Sequence, residues 1–429
     1  MRILWLGHFV PWPPHGAGML QRSHHLLRCA ARRFEVHLLA INNRKLLPTP
    51  DHVERARREL SSDCAVVEIL ERPADASRLR RLATAGRSLL SPLPWDVSWL
   101  RSRRLEQRLT ELASADHFDL LHVDSIGLAP YARFFPNQRS VLNHHNVESA
   151  MMDRRARRER SPWRRIHFRA EASKLARLER RVGPRVALNL VVSELDDRRL
   201  RSIVGSAATR VVPNGVDSAF FRPQRPLGHG QGGVLLVGGM DWYPNRDAAS
   251  FFLREIWPAL LRERPQRCAS VVGAHPPREL ARACPARNLS VPGFVRDVRP
   301  YLDDASIFLC PMRDGGGTRL KVLDALAMAK PVVATGLAVE GLDLEEGRHF
   351  LRAESVEDFV RQVRRLEDDA RLRRQLAREA RALAERRFDW QVVGRRLEDA
   401  YLEAVEGSDR RPVEVDARGW RAELGAHRA

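Results

Sequence analysis

Lysine is almost missing from this chain of 429 residues: only Lys45, Lys174, Lys321 and Lys330 occur, so the 73 basic side chains are nearly all arginine. Long apolar runs are missing as well. No window approaches the roughly 20 apolar residues that a membrane-spanning helix needs, so a soluble or peripheral protein is expected. Cysteine is scarce: Cys29, Cys64, Cys268, Cys284 and Cys310 are odd in number, scattered and without a CxxC pair. That pattern argues against a disulfide framework and a zinc site, and it fits reduced thiols in a cytoplasm. The N-terminal stretch from Met1 to Val10 has one charge and a short apolar run that stops at Pro11, Pro13 and Pro14. It lacks the long apolar region of a signal peptide and reads as a buried first strand.

What is present is a formal net charge of +19 and a normal hydrophobic share of 44%. Arginine bias together with abundant alanine and leucine is what a GC-rich genome produces, which is one account of the charge. The densest basic stretch, Arg154 to Arg185, also carries Trp163 and Phe168, a composition suited to an anionic membrane surface. Nucleic-acid binding is a third account of the charge and is not adopted. A chain of this length exceeds one ordinary core, so two domains of about 200 residues each are expected.

Apolar runs alternate with amphipathic ones. Ile3 to Leu6, Val36 to Ala40, Ala65 to Ile69, Leu120 to Val123, Ser140 to Asn143 and Ala187 to Val192 read as strands. Gln21 to Arg33 and Leu105 to Ala113 read as helices between them. After a Pro-, Gly- and His-containing segment the pattern restarts with strands at Val234 to Val237, Ala269 to Val272, Leu289 to Val291, Ile307 to Cys310 and Pro331 to Ala334. Helices are expected at Ala248 to Arg262, Leu320 to Ala329, Val356 to Leu366, Leu372 to Ala384 and Trp390 to Val405. The alternation predicts an α/β chain of two doubly wound units: a first domain over 1–220, a linker over 221–233 and a second domain over 234–388. A last helix over 389–405 and a tail over 406–429 without fixed structure complete the expectation.

In such sheets, ligands bind at the carboxyl ends of strands. Three glycine-bearing loops stand there. Gly16 and Gly18 would let the backbone approach a diphosphate ahead of a helix near Met19, although a proline-rich surface loop explains them equally well. After the first strand of the second unit come Gly238 and Gly239, with Arg246 available to a phosphate; alternatively Asn245 caps a helix from Arg246 onward. The most informative loop is Pro311 to Asp324. Gly315, Gly316 and Gly317 offer an anion nest at a helix start, Thr318 adds a hydroxyl, and Arg319 and Lys321 add charge for a diphosphate. Asp324 can accept from ribose hydroxyls. No DxD pair or His/Cys cluster is apparent on a strand-end loop, so no metal and no other cofactor is expected.

The segment from Gly315 to Thr335, followed by Val339-Glu340-Gly341-Leu342, resembles the donor-binding region of retaining glycosyltransferases of family 4, which have the GT-B fold. Val212 to Asp217 is similar to their hinge motif, His144 to Ser149 and Val192 to Glu194 to segments of their first domain, and Arg387 to Trp390 to the start of their last helix. The resemblance implies two Rossmann-like domains facing each other across a cleft, with a C-terminal helix crossing back. It further implies a sugar moved with retention from a nucleotide-diphosphate-sugar; the acceptor expected here is a polysaccharide or lipid-linked glycan at the inner face of a membrane. Arg319 and Lys321 would stabilise the departing diphosphate, Glu340 would belong to the donor region, and His145 would contact the donor sugar unless it is a buried structural histidine. Two departures stand out. Gly316 and Asp324 occupy the positions of two glutamates, which leaves sugar recognition to main chain or Asp314. Gly239 replaces an arginine, for which Arg246 would compensate.

Overall fold

The computed structural model describes residues 1–13, 18–72, 84, 86, 91–228, 232–283 and 288–407. Gly16, Cys284, part of the expected linker and nearly all of the expected tail lie outside the described residues. The chain parts into two compact units, one comprising Met1–Val212 with Gly394–Ala429 and the other Pro213–Val393. The division falls at Val212/Pro213, ahead of the 220 boundary read from the sequence. Within the second unit the stretch after Pro213 is tied down, because Val216 N donates to Phe388 O and Trp390 N to Val216 O.

The first unit is built on β1 (Arg2–Gly7), β2 (Glu35–Asn42), β3 (Val66–Glu71), β4 (Leu120–Val123), β5 (Arg139–Asn143), β6 (Leu188–Val191) and β7 (Thr209–Val211). They form one sheet in the order β3-β2-β1-β4-β5-β6-β7, and every pair is parallel. A parallel sheet is covered on both faces, so its strands are nearly continuous apolar runs. Accordingly Ile3, Leu4, Trp5 and Leu6 are all buried, as are Leu120, Leu121 and Val123. Helices Gly18–Ala31, Pro50–Leu60, Arg103–Ala115, Pro162–Val182 and Glu194–Val204 belong to the same unit, together with residues 394–406 of the last helix, Trp390–Glu406.

The second unit repeats the plan with β8 (Val234–Val237), β9 (Ala269–Val272), β10 (Leu289–Gly293), β11 (Ile307–Cys310), β12 (Val332–Ala334) and β13 (Leu351–Arg352). Their order is β10-β9-β8-β11-β12-β13, again parallel throughout. The single helix expected over Ala248 to Arg262 is in fact Tyr243–Phe251, a π-helical turn Phe252–Ile256 and a second segment Trp257–Glu263. Pro258 at the head of that segment has no N–H to give the preceding turn, which therefore widens.

In both sheets the chain starts in the middle, runs to one edge, and then returns to the other side of the first strand. The reversal falls between β1 and β4 and between β8 and β11. Loops leaving the carboxyl ends of such a pair diverge and open a crevice where α/β sheets hold ligands.

Candidate functional sites at the two switch points

In the second unit the crevice is formed by the loops after β8 and β11. Gly315 and Gly317 take φ of 124° and 66°, conformations that disfavour side chains, and they turn the loop ahead of helix Leu320–Ala327. A Cβ on Gly315 would lie 3.2 Å from Arg319 Nη2 and 3.4 Å from both Met312 Cε and the Trp242 indole. Arg319 folds back under the loop: it is 4% exposed, and its Nη1 donates to the carbonyls of Gly316 and Gly317. Its charge thus supports the glycine loop from below. Thr318 Oγ1 accepts from Asn214 Nδ2 at 2.6 Å, and Asp314 Oδ1 accepts from Gly315 N at 2.7 Å.

Lys321, in the first turn of that helix, donates to Asn245 Oδ1 at 2.6 Å. Asn245 Nδ2 in turn donates to Gly239 O at 2.9 Å. One asparagine therefore ties the two glycine loops together across β8 and β11. This corrects the reading of Asn245 as the cap of a helix from Arg246, since the helix begins at Tyr243 and Asn245 lies inside its first turn. Arg246 is exposed on the helix, and the link to Lys321 is made by its neighbour. Burial lowers the Lys321 pKa and raises that of Asp324, half-buried on the same helix, to about 8. Glu340 lies half-buried in the turn after β12.

In the first unit the corresponding edge holds His145, two residues past β5, and with it a network that the sequence reading did not find. Asp124, immediately after β4, is buried; Ser23 Oγ donates to its Oδ2 at 2.5 Å and Asn143 Nδ2 to its Oδ1 at 2.7 Å. Asn143 Oδ1 accepts from Arg22 Nη2 at 2.9 Å. His145 Nε2 lies 3.0 Å from Asp124 O and 3.3 Å from its Oδ1, while His122 Nε2 is 3.5 Å from the same oxygen. Burial pushes the Asp124 pKa up, but the facing imidazoles of His145 and His122 leave it well below the usual range. Burial also lowers His8 to about 3 and Arg22 to about 10. Gly18 is exposed and opens helix Gly18–Ala31.

His8, Asp124 and His145 bring donor atoms within 4.8 Å of one another, a spacing that one cation could bridge. The sequence reading of no histidine cluster at strand ends is therefore corrected. These residues are 116 and 21 positions apart, and their only shared signal is that each closely follows a strand. Both Asp124 oxygens already accept from Ser23 and Asn143, the pattern of a carboxylate satisfied by protein donors.

Two parallel sheets with these strand orders and flanking helices constitute the GT-B architecture. Similar solved structures are a sucrose-phosphate synthase from Thermosynechococcus elongatus, with a TM-score of 0.66 at 14% identity over 95% of this chain and 100% of that one, and Anabaena HepE in complex with UDP and glucose, with a TM-score of 0.62 at 16% identity over 93% of this chain and 99% of that one. TarM has a TM-score of 0.63 at 8% identity over 94% of this chain and 98% of that one.

The sequence matches narrow the class further. The model for Glycosyltransferase Family 4 matches residues 17–220, and the model for Glycosyl transferases group 1 matches residues 231–369. With the fold, they support a glycosyltransferase. An uncharacterised 44.6 kDa protein in the cps region of Klebsiella pneumoniae is 26% identical over 138 residues, 30% of this chain. The match spans 36% of that relative's length.

Proposed function

We propose that this glycosyltransferase moves a sugar, with retention at the anomeric carbon and without a metal, from a nucleotide-diphosphate-sugar to a polysaccharide or lipid-linked acceptor. The observation that carries the reading is the glycine loop at the β8/β11 switch point, where a helix N-terminus, Lys321 and the loop N–H groups suit a diphosphate. Asp324 on the same helix suits a ribose. On this reading Pro213–Val393 is the donor unit, Met1–Val212 is the acceptor unit, and Arg319 and Lys321 stabilise the leaving diphosphate. HepE in complex with UDP, and the Klebsiella relative in a cps region, support the donor and acceptor classes respectively. The reading further places the enzyme in the cytoplasm at the inner face of a membrane, with the Arg154 to Arg185 stretch toward anionic lipid and no nucleic acid as partner.

Calorimetric titration with uridine- and guanosine-diphospho-sugars tests the proposal: binding of at least one is expected, and silence toward all of them overturns it. The anomeric configuration of the first product, read by NMR, tests retention. A second reading, a non-catalytic GT-B-like subunit that binds a partner or an anionic polymer, draws on Gly316 standing where the resemblance has a carboxylate, and on the Arg319 guanidinium bonded to its own loop. Donor turnover that is lost in Arg319→Ala, with the fold retained by circular dichroism, excludes that second reading.

A further inference from the structure

The crevice between β8 and β11 has an aromatic wall that the glycine loop itself does not supply. Gly315, Gly316 and Gly317 bring main chain but no side chain, the Thr318 hydroxyl accepts from Asn214, and Asp314 accepts from Gly315 N of the same loop. Three side chains lie closest to the position of a Cβ on Gly315. Two of them, Arg319 and Met312, are buried. The third is Trp242, from the loop after β8. It is 45% exposed, and the far edge of its indole, Cη2, lies 3.4 Å from that Cβ position. Trp242 is thus the one side chain of the three that meets both the glycine loop and solvent.

The main chain that carries the indole is pinned on both sides. Before it, Met240 is buried in the core of the second unit and its N donates to Ala274 O at 2.8 Å. After it, the Trp242 carbonyl accepts from Asn245 N at 3.1 Å and from Arg246 N at 3.2 Å as helix Tyr243–Phe251 begins. Asn245 carries the tie on to Lys321. A ring presented from a fixed main chain gives up little freedom when a ligand lies against it. On the donor reading, ribose, diphosphate and sugar follow one another along this helix and loop. Asp324, past the first turn of Leu320–Ala327, suits the ribose, and the helix N-terminus with the loop N–H groups suits the diphosphate. The sugar then falls at the other end of the loop, beside Gly315 and the indole.

We propose that Trp242 is a specificity-determining residue: its indole is the platform against which the pyranose ring of the donor lays its C–H face. Stacking there supplies sugar recognition that the glycine triplet, having no side chains, does not. The negative π face of the indole attracts the weakly positive C–H groups of the sugar, while the ring hydroxyls stay free for main-chain donors. The assignment deepens the glycosyl-transfer reading above and rests on it for the identity of the ligand.

Calorimetry on the full chain tests the platform, with UDP, GDP, UDP-glucose, UDP-N-acetylglucosamine and GDP-mannose as titrants. The quantity read is the Kd of each sugar nucleotide divided by the Kd of its parent diphosphate. In Trp242→Ala this ratio is expected to rise roughly 3- to 10-fold for the sugar nucleotides that the native chain binds, the scale of one aromatic contact, while UDP and GDP stay within about twofold. Trp242→Leu keeps apolar bulk on the loop without a π face and is expected to show the same rise. Trp242→Phe keeps a smaller ring and is expected to recover most of the native ratio. Circular dichroism checks that each variant is folded. An unchanged ratio in Trp242→Ala and Trp242→Leu overturns the proposal. So does equal weakening of diphosphate and sugar nucleotide, the result of a ring that stacks on the base or only braces the loop. A native chain that binds none of the three sugar nucleotides overturns the glycosyl-transfer reading, and the platform with it.

Discussion

At the scale of single residues, the glycine loop of the second unit and the helix after it were legible as neighbours because they are contiguous, whereas their link through Asn245 was not. Gly315 to Asp324 lie in one loop and one helix, so their order in the chain already implies proximity. The first unit's network was not legible, because Arg22, Asp124, Asn143 and His145 reach one edge from three segments, and nothing local marks Asp124 as their centre. Two predictions belong here. Lys321→Ala removes the fixed ammonium beside the glycine loop and leaves Asn245 Oδ1 without its donor. A charged hydrogen bond contributes about 1.5–3 kcal/mol, so UDP affinity by calorimetry should fall roughly 10- to 100-fold. Asp324 gives the second. Its folded pKa of about 8 lies above its ordinary 3.8, so the native chain keeps a proton that the unfolded chain has released. Stability from this group is therefore full at acid pH and is lost as pH rises from about 4 toward 8. Asp324→Asn abolishes that slope: without ligand, the variant's melting temperature should gain on the native protein as pH is raised from 5 to 8. Ribose hydroxyls donate to the ionised carboxylate, so UDP binding at pH 7 should release a proton, detectable as a dependence of the calorimetric heat on the buffer.

At the scale of elements, Leu120–Val123, Val234–Val237, Ala269–Val272 and Ile307–Cys310 appear with the ends their apolar runs suggest. A strand buried on both faces is a nearly continuous apolar run, and among these four only His122 and Ser270 interrupt it. β7 and β13 escaped because three and two residues carry no periodicity. The helices Glu148–Arg158 and Pro162–Val182 pack on one another and present the arginine-rich stretch, a pairing that charge density had concealed. At the start of the second of them Trp163 is 82% exposed and Ile166 60%, with Arg164 and Arg165 between them. No described helix is long and apolar enough to cross a membrane, so any lipid contact through these elements lies at the surface. Each arginine near an anionic surface contributes about 1 kcal/mol, and that contribution is screened by salt. Sedimentation with phosphatidylglycerol-containing vesicles should therefore weaken as salt is raised. Trp163→Ala combined with Ile166→Glu should abolish it, whereas vesicles of phosphatidylcholine alone should not bind. Equal binding to both lipids would refute the anionic surface.

At the scale of the whole molecule, the last helix is the element whose allegiance decides how the chain is cut. Its first residues belong with the second unit and the remainder with the first, where Leu397, Ala400, Tyr401 and Ala404 are buried. Gly394 packs so closely on Cys29 that a Cβ would lie 2.7 Å from its sulfur. Arg33 pairs with Glu398 and Arg210 with Glu403, so the helix is bound to β7 and to the end of the first helix by charge as well as by packing. The most consequential contact is Tyr401 Oη with His122 Nδ1 at 2.7 Å, because His122 stacks on Trp5 and faces Asp124 from the other side. The sequence showed this helix and the resemblance implied its return to the first domain, but neither pointed to a tyrosine buttressing the Asp124 network. Tyr401→Phe keeps the packing and leaves His122 Nδ1 buried without its partner, a loss of about 1–3 kcal/mol. A chain ending at Val393 should lose far more, since it uncovers the apolar residues that the helix buries. Limited proteolysis should then cut the first unit before the second, and UDP binding through Pro213–Val393 should persist in the truncated chain. Loss of both units together would show instead that the helix stabilises the molecule as a single cooperative body.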